Sequence, residues 1–223
     1  MPIVAVPIAT QLIHLFAALV LLLSFAMLAQ RRIQALIQLF ALQGAALVCS
    51  TAIVAHAQDQ PHLYVSAAMT LALKVVLLPW VLARLVKRLQ LQWDTESGLN
   101  IPAITLLGLV LVIFAFGLAQ PISELAGSIT RITLGIAMAV VLLAFLMMIT
   151  RRKAIGQVVG FLVMENGLFF AATSATFGMP MVVELGIALD ILVGVLILGI
   201  FFFQIREQFD SLDLHHLESL RED

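Results

Sequence analysis

Seven apolar stretches, each long enough to cross a bilayer, make up most of the sequence. They cover residues 5–29, 33–55, 63–86, 101–119, 129–150, 154–177 and 181–205. A membrane-spanning helix needs about 20 apolar residues because it rises about 1.5 Å per residue. Spanning β-strands are shorter and alternate apolar with polar residues, which these stretches do not. The sequence therefore predicts an all-α, polytopic membrane protein with seven transmembrane helices.

The composition excludes a water-soluble fold. Of the 223 residues, 62% are hydrophobic and 11% are charged, whereas a soluble domain averages about 45–50% and about 25%. The net charge of −1 leaves no basic region to bind nucleic acid. The single cysteine, Cys49, cannot form an intrachain disulfide, and we expect it to act as a small buried hydrophobe.

Basic residues fall on one side of the predicted membrane topology. The first, third and fifth connections with their flanks, and the C-terminal tail, contain Arg31, Arg32, Arg84, Lys87, Arg88, Arg151, Arg152, Lys153, Arg206 and Arg221. The opposite side has Arg131 alone. Cytoplasmic segments hold the excess of Lys and Arg. The bias therefore predicts an N-terminus outside and a C-terminus in the cytoplasm.

An internal repeat suggests how the chain is organised. RRIQALIQ follows the first span and RRKAIGQV follows the fifth, with the double arginines 120 residues apart. Two three-helix units joined by one extra helix would then point the same way across the membrane. We therefore predict an N-terminal unit at 1–100, a connecting helix at 101–128, a second three-helix unit at 129–210 and a tail at 211–223.

Four ionisable residues within the predicted spans are candidates for function. Lys74 is near the middle of the third span, Glu165 is central in the sixth, and Asp190 is near the centre of the seventh. Glu184 lies about one turn from the outer end of the seventh span. Each charge at the bilayer centre costs on the order of 2.5–3.5 kcal/mol by insertion scales. Such residues therefore mark either interhelical pairs or a path for ions.

Both interpretations remain open at this stage. As a static pair, an acid and a lysine hold helices together, although their desolvation offsets much of the attraction. As an ion path, they exchange protons near neutral pH. Supporting polar residues are Asn166 and Gln43, which can bridge protonatable groups, and His14, which can relay protons. A metal site at the connection containing His56, Asp59 and His62 is a weaker alternative.

The stretches RRKAIGQVVGFLVMENGLFFA and ALDILVGVLILGIFFFQI carry a family resemblance. They resemble the K-type membrane subunit of respiratory complex I and the C-type subunit of multisubunit cation/proton antiporters. With four helices ahead of that unit, the whole chain resembles the component E family of hydrogenase-4 and formate hydrogenlyase-type complexes. The resemblance implies that Asp190 is the third-helix acid, followed by Gly194, and that Asn166 is the family's asparagine. Leu162 replaces the second-helix glutamate, and Glu165 lies three residues later.

What the resemblance implies is a non-catalytic membrane subunit of an energy-converting [NiFe]-hydrogenase complex in the bacterial inner membrane. Its partners would be antiporter-like and channel-like membrane subunits, with peripheral hydrogenase and iron–sulfur subunits. The nickel–iron centre and iron–sulfur clusters would then belong to those partners, and no cofactor or metal to this chain. Lys74, Glu165, Asp190 and Glu184 would contribute to proton or sodium translocation. A subunit of a cation/proton antiporter and a purely structural scaffold remain alternatives.

Overall fold

A computed structural model describes residues 8–57, 59, 61–88, 100–123 and 128–175, together with 186 and 194. The helices of this part of the chain are α1 (Ile8–Ala29), α2 (Ile33–Ala57), α3 (Pro61–Thr70), α4 (Leu78–Arg88), α5 (Ile101–Ser123), α6 (Ser128–Thr150) and α7 (Ala154–Ala175). A π-helical segment, Leu71–Leu77, joins α3 to α4 without a break.

The all-α membrane prediction is confirmed for the described residues, which contain six helical spans of sufficient length and apolarity. The third of these spans runs through α3, the π-helical segment and α4. The seventh predicted span, 181–205, lies outside the described residues except for two glycines, Gly186 and Gly194. The outside N-terminus stays a prediction.

The helix bounds differ from the sequence prediction by a few residues. The largest difference is in α5, which continues past the predicted end at 119 and includes Pro121. Proline removes one backbone donor and disfavours helix in the residues before it. Here α5 includes Pro121 and continues to Ser123, so the proline does not end the helix at the predicted position.

The core forms where two helix pairs meet. Helix α1 packs on α2, α6 packs on α7, and the pairs join through contacts of α1 with α6 and of α2 with α7. The fully buried apolar residues include Val20, Met27, Leu36, Phe40, Leu47, Leu82, Leu143, Met147, Leu162 and Phe170. Helix α5 packs mainly against α6. This arrangement surrounds the middle of α7 with other helices.

Apolar side chains also cover the outside of the bundle, as expected for a surface that faces lipid. On α5 they include Leu106, Val110 and Ile113, which are more than half exposed. Lipid tails are as apolar as these side chains, so no polar outer face is required. The prediction that Cys49 is buried is wrong, because its side chain faces outward. In an apolar helix the sequence does not distinguish the lipid-facing from the core-facing side.

Candidate functional site

A lysine–glutamate pair lies at the centre of the bundle. Lys74 extends from the π-helical segment and Glu165 from α7, and Lys74 Nζ is 2.8 Å from Glu165 Oε1. Lys74 is 0% exposed and Glu165 is 2% exposed. Two charges in this position are shielded from both lipid and water by the surrounding helices. The ion pair therefore has to be satisfied by protein groups.

Two further groups complete the surroundings of the lysine. Lys74 Nζ donates a second hydrogen bond to Asn166 Oδ1 at 2.9 Å. It also lies 5.2 Å from the centroid of the Phe169 ring, within cation–π range. An ammonium group has three donors and no acceptor. The carboxylate, the amide oxygen and the aromatic face together surround the ammonium group of Lys74.

A chain of hydrogen bonds leads from the lysine across the bundle to α1. Asn166 Nδ2 donates to Gln43 Oε1 at 3.0 Å, and Gln43 Nε2 donates to Ser24 Oγ at 2.8 Å and to Val20 O at 3.2 Å. Ser24 Oγ also donates to Val20 O, at 2.9 Å. Because an ammonium only donates, Asn166 must turn its oxygen towards Lys74. That choice fixes the direction of every later bond in the chain.

The backbone around Lys74 departs from the α-helix. The Leu78 N–H donates to Leu73 O, five residues back, which is the π-helical pattern. Such wide turns occur within α-helices most often at functional sites. On the facing helix, a Cβ added to Gly44 would lie 3.2 Å from Lys74 Cβ and 3.3 Å from Val75 Cγ2. The glycine therefore allows α2 to approach the turn that carries the lysine.

The neighbouring groups at this site are of the types that can exchange a proton. Transfer of a proton from the Lys74 ammonium to the Glu165 carboxylate turns two charges into two neutral groups. The attraction between the charges favours the ion pair, and the cost of burying charge favours the neutral form. Because these two effects oppose each other, a buried acid–lysine pair is a candidate for proton transfer. The amide and hydroxyl groups of the hydrogen-bond chain only orient the pair.

A second buried cation lies at another level of the bundle. Arg151, in the connection between α6 and α7, is 3% exposed. Its Nη2 donates to Met27 O at 2.9 Å, Leu28 O at 3.2 Å and Gln30 O at 2.5 Å. Burial, and to a smaller extent the neighbouring charge of Arg31, lowers the pKa of Arg151 below its usual range. An arginine remains protonated under such conditions, so Arg151 ties the end of α1 to the start of α7.

The other sequence-predicted residues are distributed as follows. His14 lies on α1 and takes no part in the hydrogen-bond chain given above. Asp190 and Glu184 lie outside the described residues. No group of three metal-ligating side chains comes together in the described part of the chain. His56, Asp59 and His62, which lie in that part, do not form such a group.

The sequence interpretation missed Ser24, Arg151 and the π-helical segment. Ser24 is one of the few polar residues in a mainly apolar span, and this is its only signal in the sequence. Arg151 was counted among the basic residues of a cytoplasmic connection, and nothing in that count distinguishes it from its neighbour Arg152. Arg152 is exposed, whereas Arg151 is buried. The contacts of its guanidinium come from α1, more than 120 residues away in sequence.

Comparisons with known proteins give two kinds of relative. The chain is 34% identical over 209 residues to uncharacterized protein Rv0085 of Mycobacterium tuberculosis, covering 93% of this chain and 95% of that protein. It is 24% identical over 213 residues to hydrogenase-4 component E of Escherichia coli strain K12, covering 95% of this chain and 98% of that protein. Hydrogenase-4 component E of Shigella flexneri has the same identity and coverage.

Neither a family model nor a solved structure matches the chain.

Proposed function

We propose, from the premise that this chain belongs to the family of the mycobacterial protein Rv0085, that it is a non-catalytic membrane subunit of an energy-converting hydrogenase-type complex. The similarity to hydrogenase-4 component E extends over nearly the whole of both chains, which favours the same place in a complex. The six long apolar helices found among the described residues fit a multi-pass membrane component. The chain acts in the bacterial inner membrane, with its N-terminus outside.

The observation that carries the proposal is the pair of Lys74 and Glu165, 2.8 Å apart and buried in the middle of the bundle. Ionisable groups at membrane depth most often mark proton or ion pathways. We assign the pair the role of a proton-exchanging step in ion translocation. Gln43 and Asn166 hold the lysine in place through the hydrogen-bond chain. Asp190 and Glu184 are further candidates for the same path.

The redox chemistry belongs to partner subunits in this proposal. Peripheral hydrogenase and iron–sulfur subunits carry the nickel–iron centre and the iron–sulfur clusters, and electrons do not pass through this chain. Antiporter-like and channel-like subunits adjoin it in the membrane. Its own part is to couple a conformational or electrostatic change in those partners to the protonation of the buried pair.

Subunit composition tests membership of the complex. An affinity tag on this chain, expressed from its native locus, is used to purify it from membranes solubilised in mild detergent. We expect it to bring down hydrogenase-type and iron–sulfur subunits together with larger membrane subunits. Recovery of antiporter-like subunits without any redox subunit would favour the antiporter alternative. Recovery of this chain as a stable monomer would contradict both.

Amide variants test the ion role. Glu165→Gln and Asp190→Asn keep the shape and much of the hydrogen bonding but remove the exchangeable charge, and Lys74→Met removes the cation. We expect all three complexes to assemble and to keep dye-linked hydrogenase activity, while the proton gradient formed in membrane vesicles falls. Normal gradients would contradict the ion role. Loss of assembly would favour the scaffold alternative, because a structural pair holds helices together.

A further inference from the structure

A second group of polar side chains lies within the bundle, apart from the lysine–glutamate pair. His14 on α1, Thr51 on α2 and Ser66 on α3 form what we call the polar triplet. Their Nε2, Oγ1 and Oγ atoms each expose less than 1 Å² and have no hydrogen-bond partner within the described part of the chain. Buried polar groups are nearly always hydrogen-bonded, so three such atoms require an explanation.

The members of the triplet lie at one level of the bundle. Thr51 follows Gln43 by eight residues on α2, and Ser66 precedes Lys74 by eight residues along the third span. At about 1.5 Å per residue, both are about 12 Å from the buried network, towards the turn that joins α2 and α3. His14 is displaced in the same direction along α1. The triplet therefore lies between the lysine–glutamate pair and one end of the bundle.

A small apolar cluster comes from the same parts of the three helices as the triplet. Val54, Ala55 and Leu63 form this cluster, and Ile13 packs against it. Thr51 lies three residues before Val54, and Ser66 three residues after Leu63, so each shares a helix face with a cluster member. His14 adjoins Ile13 in sequence. In this conformation the surrounding side chains shield the three polar atoms from solvent.

Buried polar atoms without hydrogen-bond partners favour a conformation in which this region of the bundle is open to water. Each polar atom without a partner carries the cost of its lost hydration, which an open and hydrated conformation recovers. Apolar constrictions in membrane proteins close a path by excluding water. Helix α3 has only ten residues and ends at the π-helical segment that carries Lys74. Helices bend at π-helical turns, so this segment is a place where α3 can bend relative to α4.

We propose that the polar triplet and the apolar cluster form a water gate, closed in this conformation. When α3 moves, water enters between α1, α2 and α3, binds the three polar atoms and extends to Lys74 and Glu165. Protons then pass between that water and the pair. The gate rests on the proposed function, because it has a purpose only if the pair exchanges protons.

Thiol accessibility tests the gate in the assembled complex. Ser66→Cys and Thr51→Cys are each made in a Cys49→Ala background, and native membranes are treated with a small, membrane-impermeant methanethiosulfonate during turnover. The matched control is Thr173→Cys, eight residues along α7 from Glu165. Thr173 is likewise buried, at 3% exposed, but its Oγ1 is satisfied by donating to Phe169 O at 3.0 Å.

We expect both triplet cysteines to react at least about tenfold faster than the control, because only their region opens to water. Reaction no faster than that of Thr173→Cys at both positions would overturn the gate. As a second measurement, the pair of substitutions Thr51→Val and Ser66→Ala removes two of the unsatisfied hydroxyls. We expect a higher melting temperature together with a smaller proton gradient, since the closed conformation gains stability. A lower melting temperature with an unchanged gradient would contradict the proposal.

The gate and the proposed function fail separately. If the triplet cysteines react quickly but Glu165→Gln leaves the gradient intact, the region opens and the role of the pair is wrong. If Glu165→Gln abolishes the gradient but the triplet cysteines react no faster than the control, the gate is wrong. The role of the pair is then unaffected, and water reaches it by another route.

Discussion

Two buried cations in this bundle have opposite surroundings. Lys74, in the middle of a span, contacts a carboxylate and an amide oxygen. Arg151, at the end of a span, contacts three backbone carbonyls at the C-terminal end of α1. Helix C-termini carry partial negative charge and unsatisfied carbonyls, so they suit a fixed cation. Both side chains are nearly inaccessible, and burial alone does not distinguish their roles.

The partners distinguish them. Backbone carbonyls do not take up a proton, so the contacts of Arg151 have a single protonation state. A carboxylate does take up a proton, and a lysine gives one up more readily than an arginine does. The pair of Lys74 and Glu165 therefore has two protonation arrangements with the same total charge. A buried cation is structural when its partners are fixed and a candidate for function when its partner titrates.

The largest expected effect on stability comes from leaving Lys74 without its acid. Glu165→Leu buries the ammonium beside apolar groups, and breaking a buried ion pair in this way costs about 3–5 kcal/mol. Adding Lys74→Met to the same chain should recover most of that loss, because neither charge then remains. Thermal melting of the detergent-solubilised complex, followed by native electrophoresis, measures both. A double variant as unstable as Glu165→Leu would show that the ion pair is not the cause.

Removal of Arg151 is expected to lower stability less than Glu165→Leu does, and to leave the proton gradient unchanged. Arg151→Met takes away the donor to three carbonyls, and an unsatisfied buried polar group costs about 1–3 kcal/mol. The matched control is Arg152→Met, because Arg152 is exposed. We expect a lower melting temperature for Arg151→Met alone, with the proton gradient per electron unchanged. A reduced gradient in Arg151→Met would remove the distinction between the two cations.

We expect the loss of stability in Arg151→Met to be independent of pH under ordinary conditions, because Arg151 stays charged there although its pKa is lowered. Burial lowers the folded-state pKa below the unfolded value, so the charge on Arg151 opposes folding to some extent. That cost disappears only as the pH rises through the folded-state pKa, which lies far above neutrality for an arginine. We expect the difference in melting temperature between the parent and Arg151→Met to stay constant from slightly acid to slightly alkaline pH. A difference that changed sharply near neutral pH would point to another titrating group.

The smallest effect concerns the approach of α2 to the lysine. A Cβ at position 44 would lie 3.2 Å from Lys74 Cβ, so in Gly44→Ala the π-helical turn has to shift by a few tenths of an ångström. We expect this shift to offset the gain that alanine brings to a helix. Gly117→Ala is the control, because nothing lies within 4 Å of a Cβ built there. That control should be stabilising by about 0.5–1 kcal/mol, since alanine is the better helix former. Equal melting temperatures for the two variants would mean that the close approach is unimportant.

The sequence predicted the spans and the ionisable residues but not the faces of the helices. Lys74 and Glu165 stand out because charge is rare in an apolar stretch. Their contact could not be derived, because apolar residues surround each helix and no periodicity shows which side faces the core. Cys49 was misplaced for this reason. The π-helical turn at Lys74 has no local sequence signal, and the burial of Arg151 depends on carbonyls of a distant helix.

The most direct test of the distinction between Lys74 and Arg151 is an infrared difference spectrum of the complex, recorded between two pH values. If Glu165 exchanges a proton, the parent shows a carbonyl band of a protonated carboxyl group. That band disappears in Glu165→Gln and persists in Arg151→Lys, whose cation has only fixed partners. The same spectrum in the parent and in Glu165→Gln would contradict the account, because the buried pair would then hold one protonation state, as Arg151 does.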